Sequence, residues 1–508
     1  MSVTSLSFFC FFGLSLLIYY VIPKKTQWFF LLILSCFFFW RTSASETVWY
    51  LIAAIIVTTT SARGIHKALT VGKDRNARIF LAIGLFINIV MLALLKYANF
   101  FIDNVNRFSF GRFHLSFLQL AAPIGISFYT LQLVGYLLDV YWGIVEYQPS
   151  FLKTALFAAY YPQLTSGPIS RYSQLKDQLY VGHQFSWKNV TFGLQRMMWG
   201  IFKKLVVSER AGMIVDTIYG DTATYDGLYI VWAAVLFMMQ LYADFSGCMD
   251  IIIGASECYG IMLPENFRTP FFSRSVQEYW QRWHITLGAW LKDYVMFPIL
   301  RSNTWRGLTK NVKRLFGKKA AKQIPAYLGM LCVWLLIGLW HGGAWKYVIG
   351  EGLWFWCVIV LEQLFAPVSK KVTKRLSINT DAFSWHVFQS LRVFICVCIG
   401  NIFFRLGSLK EAFAVIKLIF QHWNPEIFFC AGLSHPGIGR KNYVVLLIGL
   451  LVMLVVSALQ EEKSVRERLA EQNLIFRWFI LLMLLFSTII FGIWGPGFSV
   501  SSFIYEAF

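Results

Sequence analysis

Long apolar runs recur from one end of the chain to the other, separated by short polar segments. A helix needs about 20 apolar residues to cross a bilayer, so runs near that length predict transmembrane helices. Several runs are too short or too interrupted for a full crossing and are expected to be re-entrant or interfacial, buried in protein at depth. The pattern predicts an all-α, polytopic membrane protein with about eleven full spans. The segments that could cross or enter a bilayer are 6–22, 27–40, 47–62, 79–102, 117–142, 151–165, 190–207, 228–256, 326–345, 347–366, 384–404, 442–459 and 475–494.

Composition strengthens this prediction. Of the 508 residues, 57% are hydrophobic and 14% are charged, whereas soluble domains average about 25% charged. An ordinary soluble enzyme is therefore excluded, and residues 1–508 are predicted to form a single membrane body.

The positive charges lie between the apolar runs. Lys and Arg number 46 against 26 Asp and Glu, a net charge of +20, and their position in short loops is typical of cytoplasmic loops and argues against a nucleic-acid partner. Residues 301–322 carry eight Lys and Arg and no acid, which predicts a basic cytoplasmic loop. Such a loop is either simply solvated or attracts the phosphates of an anionic cofactor.

Loop charge also predicts orientation. If Lys24, Lys25 and the charged segment 461–477 are cytoplasmic, both termini are extracytoplasmic, and residues 475–508 form a final span with an extracytoplasmic tail. The run 6–22 lacks a basic region before it, so a retained span is favoured over a signal peptide. Most of the nine cysteines lie in apolar segments without a CxxC pattern, and we interpret them as packing residues.

Two histidines are the first candidates for chemistry, because polar residues are costly in apolar sequence. His341 lies in GLWHG at residues 338–342, where two glycines allow close backbone approach. A dry imidazole stays neutral at pH 7 and suits general-base attack by a hydroxyl. His284 begins an amphipathic stretch and could orient a reactant. The alternatives are a core histidine for His341 and an interfacial aromatic belt around His284.

Three further features place polar residues in apolar surroundings. Asp244 and Asp250 are six residues apart, too far to share one helical face. Residues 161–172 contain two prolines and a glycine, which predicts a broken helix or re-entrant loop. Tyr505 lies on the apolar tail as an interfacial anchor or, if a base activates its phenol, as a covalent acyl carrier.

Taken together, these motifs resemble the membrane-bound O-acyltransferase superfamily, in particular its bacterial branch of alginate O-acetyltransferases and teichoic acid D-alanylation acyltransferases. The similarity is spread over most of the chain. The motifs are PQLTSGPISRY at 162–172, DFSG at 244–247, PENFRTP at 264–270, EYWQRWHITL at 278–287, WLKDY at 290–294, GLWHG at 338–342 and FIYEAF at 503–508.

The resemblance implies roles for individual residues. His341 is expected to be the catalytic histidine, His284 to line the reaction centre, and Tyr505 to be an acyl shuttle. In the mechanism that we expect, His341 is the general base and donors such as His284 stabilise the oxyanion. The expected substrate-binding residues in the shared motifs are Arg282, Trp283, Asn266, Asp244 and Trp340, and no metal site is expected. A central tunnel would link a cytoplasmic donor mouth to an extracytoplasmic vestibule.

The resemblance leaves the substrates open. Acetyl-CoA is the first expected donor, as a co-substrate with no permanently bound cofactor, and a thioesterified acyl carrier protein with D-alanine is the second. The expected acceptor is an extracytoplasmic polysaccharide or teichoic acid, reached with an SGNH/GDSL-like acyltransferase or esterase partner. A transporter or flippase of an envelope intermediate, with the buried His and Asp residues as proton relays, is the alternative from another class.

Overall fold

The computed structural model describes residues 2–109, 112, 114–428, 432, 436–494 and 503–504. Helices dominate these residues, and within them β pairing is limited to one isolated antiparallel bridge between Phe267 and Trp283. The all-α prediction is therefore confirmed.

The chain divides into two compact units. The first comprises Met1–Ile201, Cys248–Glu265 and Ser502–Phe508, and the second comprises Phe202–Gly247 and Asn266–Ser501. The hydropathy pattern gave no sign of this division, because the apolar runs continue across its boundaries.

The first unit is built from helices α1 to α9. Helix α1, with its sequence LSFFCFFGLSLLIYYV, is apolar on all faces, as expected for a helix surrounded by lipid and protein. Their bounds are α1 Leu6–Val21, α2 Gln27–Thr42, α3 Val48–Thr70, α4 Asp74–Phe108, α5 Ile126–Tyr141, α6 Phe151–Ala159, α7 Tyr161–Leu164, α8 Tyr172–Leu179 and α9 Trp187–Phe202.

The predicted break at 161–172 lies in this unit. Helix α7 covers only four residues, and the backbone then stays non-helical until α8 begins at Tyr172. Residues 161–170 are all buried, and the Tyr161 hydroxyl hydrogen-bonds that of Tyr259 at 2.8 Å. This agrees with the rule that irregular backbone at membrane depth is buried in protein.

The second unit contains helices α10 to α22, and α11 runs from this unit into the first. Their bounds are α10 Glu209–Gly220, α11 Leu228–Cys258, α12 Val276–Arg282, α13 Ile285–Leu291, α14 Phe297–Arg301, α15 Asn303–His341, α16 Trp345–Tyr347, α17 Trp354–Arg375, α18 Phe383–Arg405, α19 Leu409–Gln421, α20 Arg440–Gln460, α21 Val465–Ala470 and α22 Leu474–Phe491. Three π-helical stretches occur at Lys203–Ser208, Lys292–Met296 and Val348–Leu353. Short 3-10 turns occupy Lys24–Thr26, Ser45–Thr47, Pro270–Phe272 and Pro425–Phe428.

Among the described residues, eight helices are long and apolar enough to cross a membrane. They are Val48–Thr70, Asp74–Phe108, Leu228–Cys258, Asn303–His341, Trp345–Arg375, Phe383–Arg405, Arg440–Gln460 and Leu474–Phe491. Helices α1, α2, α5 and α9 have 16 residues each, which is about 24 Å at 1.5 Å per residue. The predicted number of about eleven spans depends on these shorter helices and stays a prediction.

The basic segment 301–322, predicted as a loop, is helical instead. Ser302 caps the N-terminus of α15 by accepting a hydrogen bond from the backbone N–H of Trp305 at 3.3 Å. The segment is rich in Lys and Arg, which favour helix. Between Asn303 and Lys322 only Gly317 departs from helical geometry, with φ +83°. The indole N–H of Trp305 donates to the carbonyl of Pro325 at 2.9 Å. The part of α15 before Gly317 therefore packs against the part after it.

Candidate active site

A short pairing of two distant segments positions His284. The backbone N–H of Arg268 donates to the carbonyl of Arg282 at 2.9 Å, and that of Ile285 donates to the carbonyl of Asn266 at 3.0 Å. His284 directly precedes α13 with φ +47° and ψ +50°. This left-handed conformation is uncommon for residues other than glycine and needs support from its surroundings.

The side chain of Asn266 provides that support. Its Oδ1 accepts hydrogen bonds from the backbone N–H of Thr286 at 3.1 Å and from the Thr286 hydroxyl at 2.9 Å. The same oxygen lies 3.2 Å from Nδ1 of His284. Asn266 is fully buried and His284 is 2% exposed. Burial lowers the pKa of His284 to about 3, so its imidazole is neutral at pH 7.

His341 is held by packing. It is the last residue of α15 and is buried, with ring centroids 5.2 Å from Trp340 and 5.7 Å from Phe404. The flanking glycines allow close approach. A Cβ at Gly338 would lie 2.6 Å from the carbonyl oxygen of Tyr347, and one at Gly342 would lie 2.5 Å from the Tyr347 ring. The close packing predicted from the GxxxG spacing is confirmed.

One cavity of about 320 Å³ is lined by both histidines. The ring of Trp340 contacts the rings of His284 and His341, with centroids 5.4 and 5.2 Å apart. Trp283 also lines the cavity. Residues 284 and 341, which are far apart in sequence, therefore belong to one buried site of a size suited to a small-molecule substrate.

Sequence reasoning missed several side chains of this cavity. Trp280, Gln281, Lys292 and Trp334 line it beside the histidines. The first three lie in the motifs EYWQRWHITL and WLKDY, so proximity to His284 along the chain was an available signal. Trp334 lies on α15, two helical turns before His341, and could have been found from that spacing.

Arg282 is engaged in ion pairs and is absent from the cavity lining. Its guanidinium lies 2.7 Å from Glu278, one turn earlier on α12, and 2.7 Å from Glu461. Next to it, the Trp283 ring stacks on Tyr279 with centroids 5.6 Å apart. These contacts join α12 to the segment that follows α20.

Asp244 lies in a buried charge cluster. Its carboxylate is 2.6 Å from the ammonium of Lys204, which is also 2.8 Å from Glu209. The side chains of Lys204 and Asp244 are each 1% exposed. The next residue on α11, Phe245, contacts the His284 ring at 5.0 Å between centroids. Asp244 thus anchors a neighbour of His284 and does not line the cavity.

The partner Lys204 was missed from the sequence, although a signal existed. Lys203 and Lys204 interrupt the apolar run 190–207, and a charge buried in such a run has to be paired. Asp250, the other acid of the motif, pairs in the first unit with Arg196 at 2.9 Å. The two acids therefore have separate partners, in agreement with a spacing too long for one helical face. Tyr505 lies outside the described residues.

A chain whose described residues form eight helices of this length and hydropathy is a multi-pass membrane protein. Residues 144–309 match the model of the family described as MBOAT, membrane-bound O-acyltransferase family. Over these residues the chain matches that family, as its motifs suggested. The matched residues include Asp244, Asn266 and the segment 282–284, whereas Trp340 and His341 lie beyond them.

Three relatives illustrate the similarity. The probable alginate O-acetylase AlgI of Pseudomonas syringae pathovar tomato is 30% identical over 345 residues, 67% of this chain and 60% of that protein. The peptidoglycan O-acetyltransferase of Helicobacter pylori is 29% identical over 367 residues, 67% of this chain and 64% of that protein. The teichoic acid D-alanyltransferase of Bacillus subtilis is 26% identical over 259 residues, 50% of this chain and 62% of that protein. The chain thus spans somewhat less than two thirds of the relatives that it matches.

Proposed function

We propose that this protein is a membrane O-acyltransferase that moves an acyl group, in the first instance acetyl, from a thioester to a hydroxyl. The observation that carries the proposal is the cavity of about 320 Å³ that His284 and His341 line together. The family match over residues 144–309 and the names of the relatives, two of which are a probable alginate O-acetylase and a peptidoglycan O-acetyltransferase, support the same reaction class.

In the proposed reaction His341 is the general base. Its imidazole takes the proton of the attacking hydroxyl as the hydroxyl oxygen forms a bond to the thioester carbonyl carbon. The carbon–sulfur bond then breaks, and the proton passes from His341 to the departing sulfur, which leaves as a thiol. The ring contacts with Trp340 and Phe404 keep water from His341 and fix its orientation.

The proposed donor is acetyl-CoA on the cytoplasmic side, and the proposed acceptor is a polysaccharide or other envelope polymer outside. Lys292 is an exposed cation that lines the same cavity, and the basic segment 301–322 adds further positive charge to this unit. Both suit a donor that carries phosphates. An extracytoplasmic SGNH/GDSL-like partner would complete transfer to the polymer.

Tyr505 is the proposed first acceptor. Its phenol would attack the thioester and carry the acyl group as an ester, from which the partner would transfer it to the polymer. Direct transfer to a polymer hydroxyl is the alternative route, and the two differ in whether the protein itself becomes acylated.

A second candidate function is D-alanyl transfer to teichoic acid from a carrier protein. It is favoured by the similarity to the Bacillus subtilis teichoic acid D-alanyltransferase. Acetyl transfer ranks first because the two O-acetylating relatives match a larger share of this chain.

The test is intact-mass analysis and peptide mapping of detergent-purified protein after incubation with labelled acetyl-CoA or labelled D-alanyl carrier protein. We expect label from acetyl-CoA on Tyr505, absent in Tyr505→Phe and in His341→Ala. The matched controls are Tyr225→Phe and His386→Ala, which make the same substitutions at residues that do not line the cavity.

The possible results separate the routes. Label only from the carrier protein would select D-alanyl transfer. Folded wild-type protein that takes no label needs a second assay with a hydroxyl acceptor, and release of free CoA there would support direct transfer. Neither label nor release with any donor would overturn the proposed function.

A further inference from the structure

The hydrogen bonds around Asn266 determine which nitrogen of His284 carries the proton. The backbone N–H of Thr286 can only donate, and it lies 3.1 Å from the Asn266 side chain. The amide atom that receives it must be the oxygen, Oδ1. This oxygen can only accept, so Nδ1 of His284, 3.2 Å away, must be the donor.

We propose that Asn266, together with Thr286, is a positioning residue that holds His284 as the neutral tautomer protonated at Nδ1. The inference rests on the proposed function for its catalytic meaning, although the tautomer itself can be observed without any reaction. It replaces two expectations from sequence, a substrate-binding role for Asn266 and an oxyanion-donor role for His284.

The tautomer decides what His284 can offer to a reactant. A neutral imidazole protonated at Nδ1 has a lone pair at Nε2 and accepts hydrogen bonds there. Such a group cannot stabilise an oxyanion, which needs donors. A reactant group that meets Nε2 must bring a hydrogen, as a hydroxyl or thiol does, and the oxyanion donors must come from other groups.

Asn266 is well placed for this role and poorly placed to bind substrate. Asn266 is fully buried and does not line the cavity, whereas His284 is buried and does line it. Its backbone carbonyl also accepts the N–H of Ile285 at 3.0 Å. One residue therefore fixes both the left-handed backbone and the ring orientation of His284.

The surroundings of His284 combine aromatic rings with charged groups on neighbouring elements. Phe245 and Trp340 cover its ring. Asp244 and Arg282 are each engaged in the ion pairs described above. The charged residues and histidines nearest in sequence to the residues around His284 are Glu278 and Arg282 on α12, Lys292 and Asp293 after α13, Asp244 on α11, and His341 on α15. Farther along α11 lie Asp250, which pairs with Arg196, and Glu257. The Lys and Arg residues of α15 lie in its first half.

The first experiment uses no acyl donor. Nitrogen-15 NMR of the full-length, histidine-labelled protein reports which ring nitrogen is protonated, and His284→Gln assigns the signal. We expect a neutral His284 protonated at Nδ1. A signal protonated at Nε2 would overturn the inference whether or not the protein proves to be an acyltransferase.

The second experiment separates positioning from substrate binding. In Asn266→Ala we expect kcat to fall about tenfold, the value of roughly one hydrogen bond, with KM for the donor kept within about twofold. Asn266→Asp keeps an acceptor at the same place, so kcat should recover. Its carboxylate would stabilise the imidazolium and move the acidic limb of the pH profile to higher pH.

A raised KM with kcat preserved in Asn266→Ala would instead assign Asn266 to substrate binding and contradict the proposal. Asn104→Ala is the matched control, because the Asn104 amide bonds the carbonyl of Phe100 within its own helix. If Asn266→Ala does not fold, the isosteric Asn266→Asp and the NMR measurement decide. If the wild type transfers no acyl group, the proposed function fails while the tautomer remains testable.

Discussion

His284 and His341 line the same cavity but are held in different ways. His284 lies in a left-handed turn, with its ring beside an asparagine oxygen that collects two further hydrogen bonds. His341 is the last residue of a long helix. Aromatic rings surround it, and the glycines beside it are in close contact with Tyr347. Hydrogen bonds fix one histidine and close packing fixes the other.

This difference predicts different sensitivities. A hydrogen-bonded turn depends on the identity of polar atoms and tolerates small changes in volume. The stability of a closely packed helix end depends on side-chain volume. A protein interior is so dense that an added methyl group displaces neighbouring atoms. Substitutions of Asn266 should therefore change the protonation of His284, and added volume near His341 should lower stability.

The largest expected effect is the loss of His341. A general base contributes about 10² to 10⁴ in rate, so His341→Ala should lower kcat by that factor. His284→Ala should lose less, about tenfold, because an acceptor contributes about one hydrogen bond. Initial rates at saturating acetyl-CoA measure both, with His386→Ala as the control. Equal losses in the two variants would show that the histidines do not have these separate roles.

The second effect concerns the packing around His341. In Gly338→Ala the new Cβ would lie 2.6 Å from the Tyr347 carbonyl oxygen and 2.7 Å from the Cα of Val348. Both are backbone atoms that cannot rotate away, so we expect a loss of about 3 kcal/mol in stability, the upper range for overpacking. Thermal unfolding in detergent measures it.

Gly288 offers a matched control on the His284 side. Its nearest contact for a Cβ is the Trp280 carbonyl oxygen at 3.8 Å, an ordinary separation. Gly288→Ala should leave the unfolding temperature unchanged or raise it, since alanine favours helix over glycine. A similar loss in both variants would mean that packing restricts both sides of the cavity equally.

The elements were largely predictable from sequence, because an apolar run long enough for a bilayer leaves few alternatives to helix. The run predicted at 228–256 is helix Leu228–Cys258, and that at 384–404 is Phe383–Arg405. The prediction of a loop at 301–322 was wrong. Charge indicates that a segment is solvated but says little about its backbone conformation.

The residues of the site were predictable in part. His284 and His341 stood out because each is polar in apolar sequence, and the structure brings them into one cavity. Which candidates contact which residues was hidden, because those contacts join segments that are separate in the sequence. The contact between Asn266 and His284 spans 18 residues, and that between Lys204 and Asp244 spans 40. The residue types in the sequence identified the candidate residues, but their roles could be assigned only from the geometry of the site.

A third expected effect is a dependence of stability on pH that His284 produces. The pKa of His284 is lowered in the fold from 6.5 to about 3, so the unfolded chain takes up a proton that the folded chain refuses. Stability is therefore lost as pH falls below about 6.5, by about 2 kcal/mol at pH 5. Unfolding temperatures at pH 7 and pH 5 measure this loss, which should shrink in His284→Gln. An identical loss in that variant would assign the pH dependence to other groups.

The smallest effect tests how much of the turn depends on one hydroxyl. Thr286→Val removes the 2.9 Å hydrogen bond from Oγ1 to Asn266 and keeps the 3.1 Å bond from the backbone N–H. We expect a loss of about 1 kcal/mol in stability and no change in the His284 tautomer, because the backbone donor alone keeps Oδ1 in place. Thr286→Ser restores the hydroxyl and should restore the unfolding temperature. A tautomer change in Thr286→Val would show that the hydroxyl, and not the backbone N–H, orients Asn266, and His284 would then depend on a side chain that can rotate away.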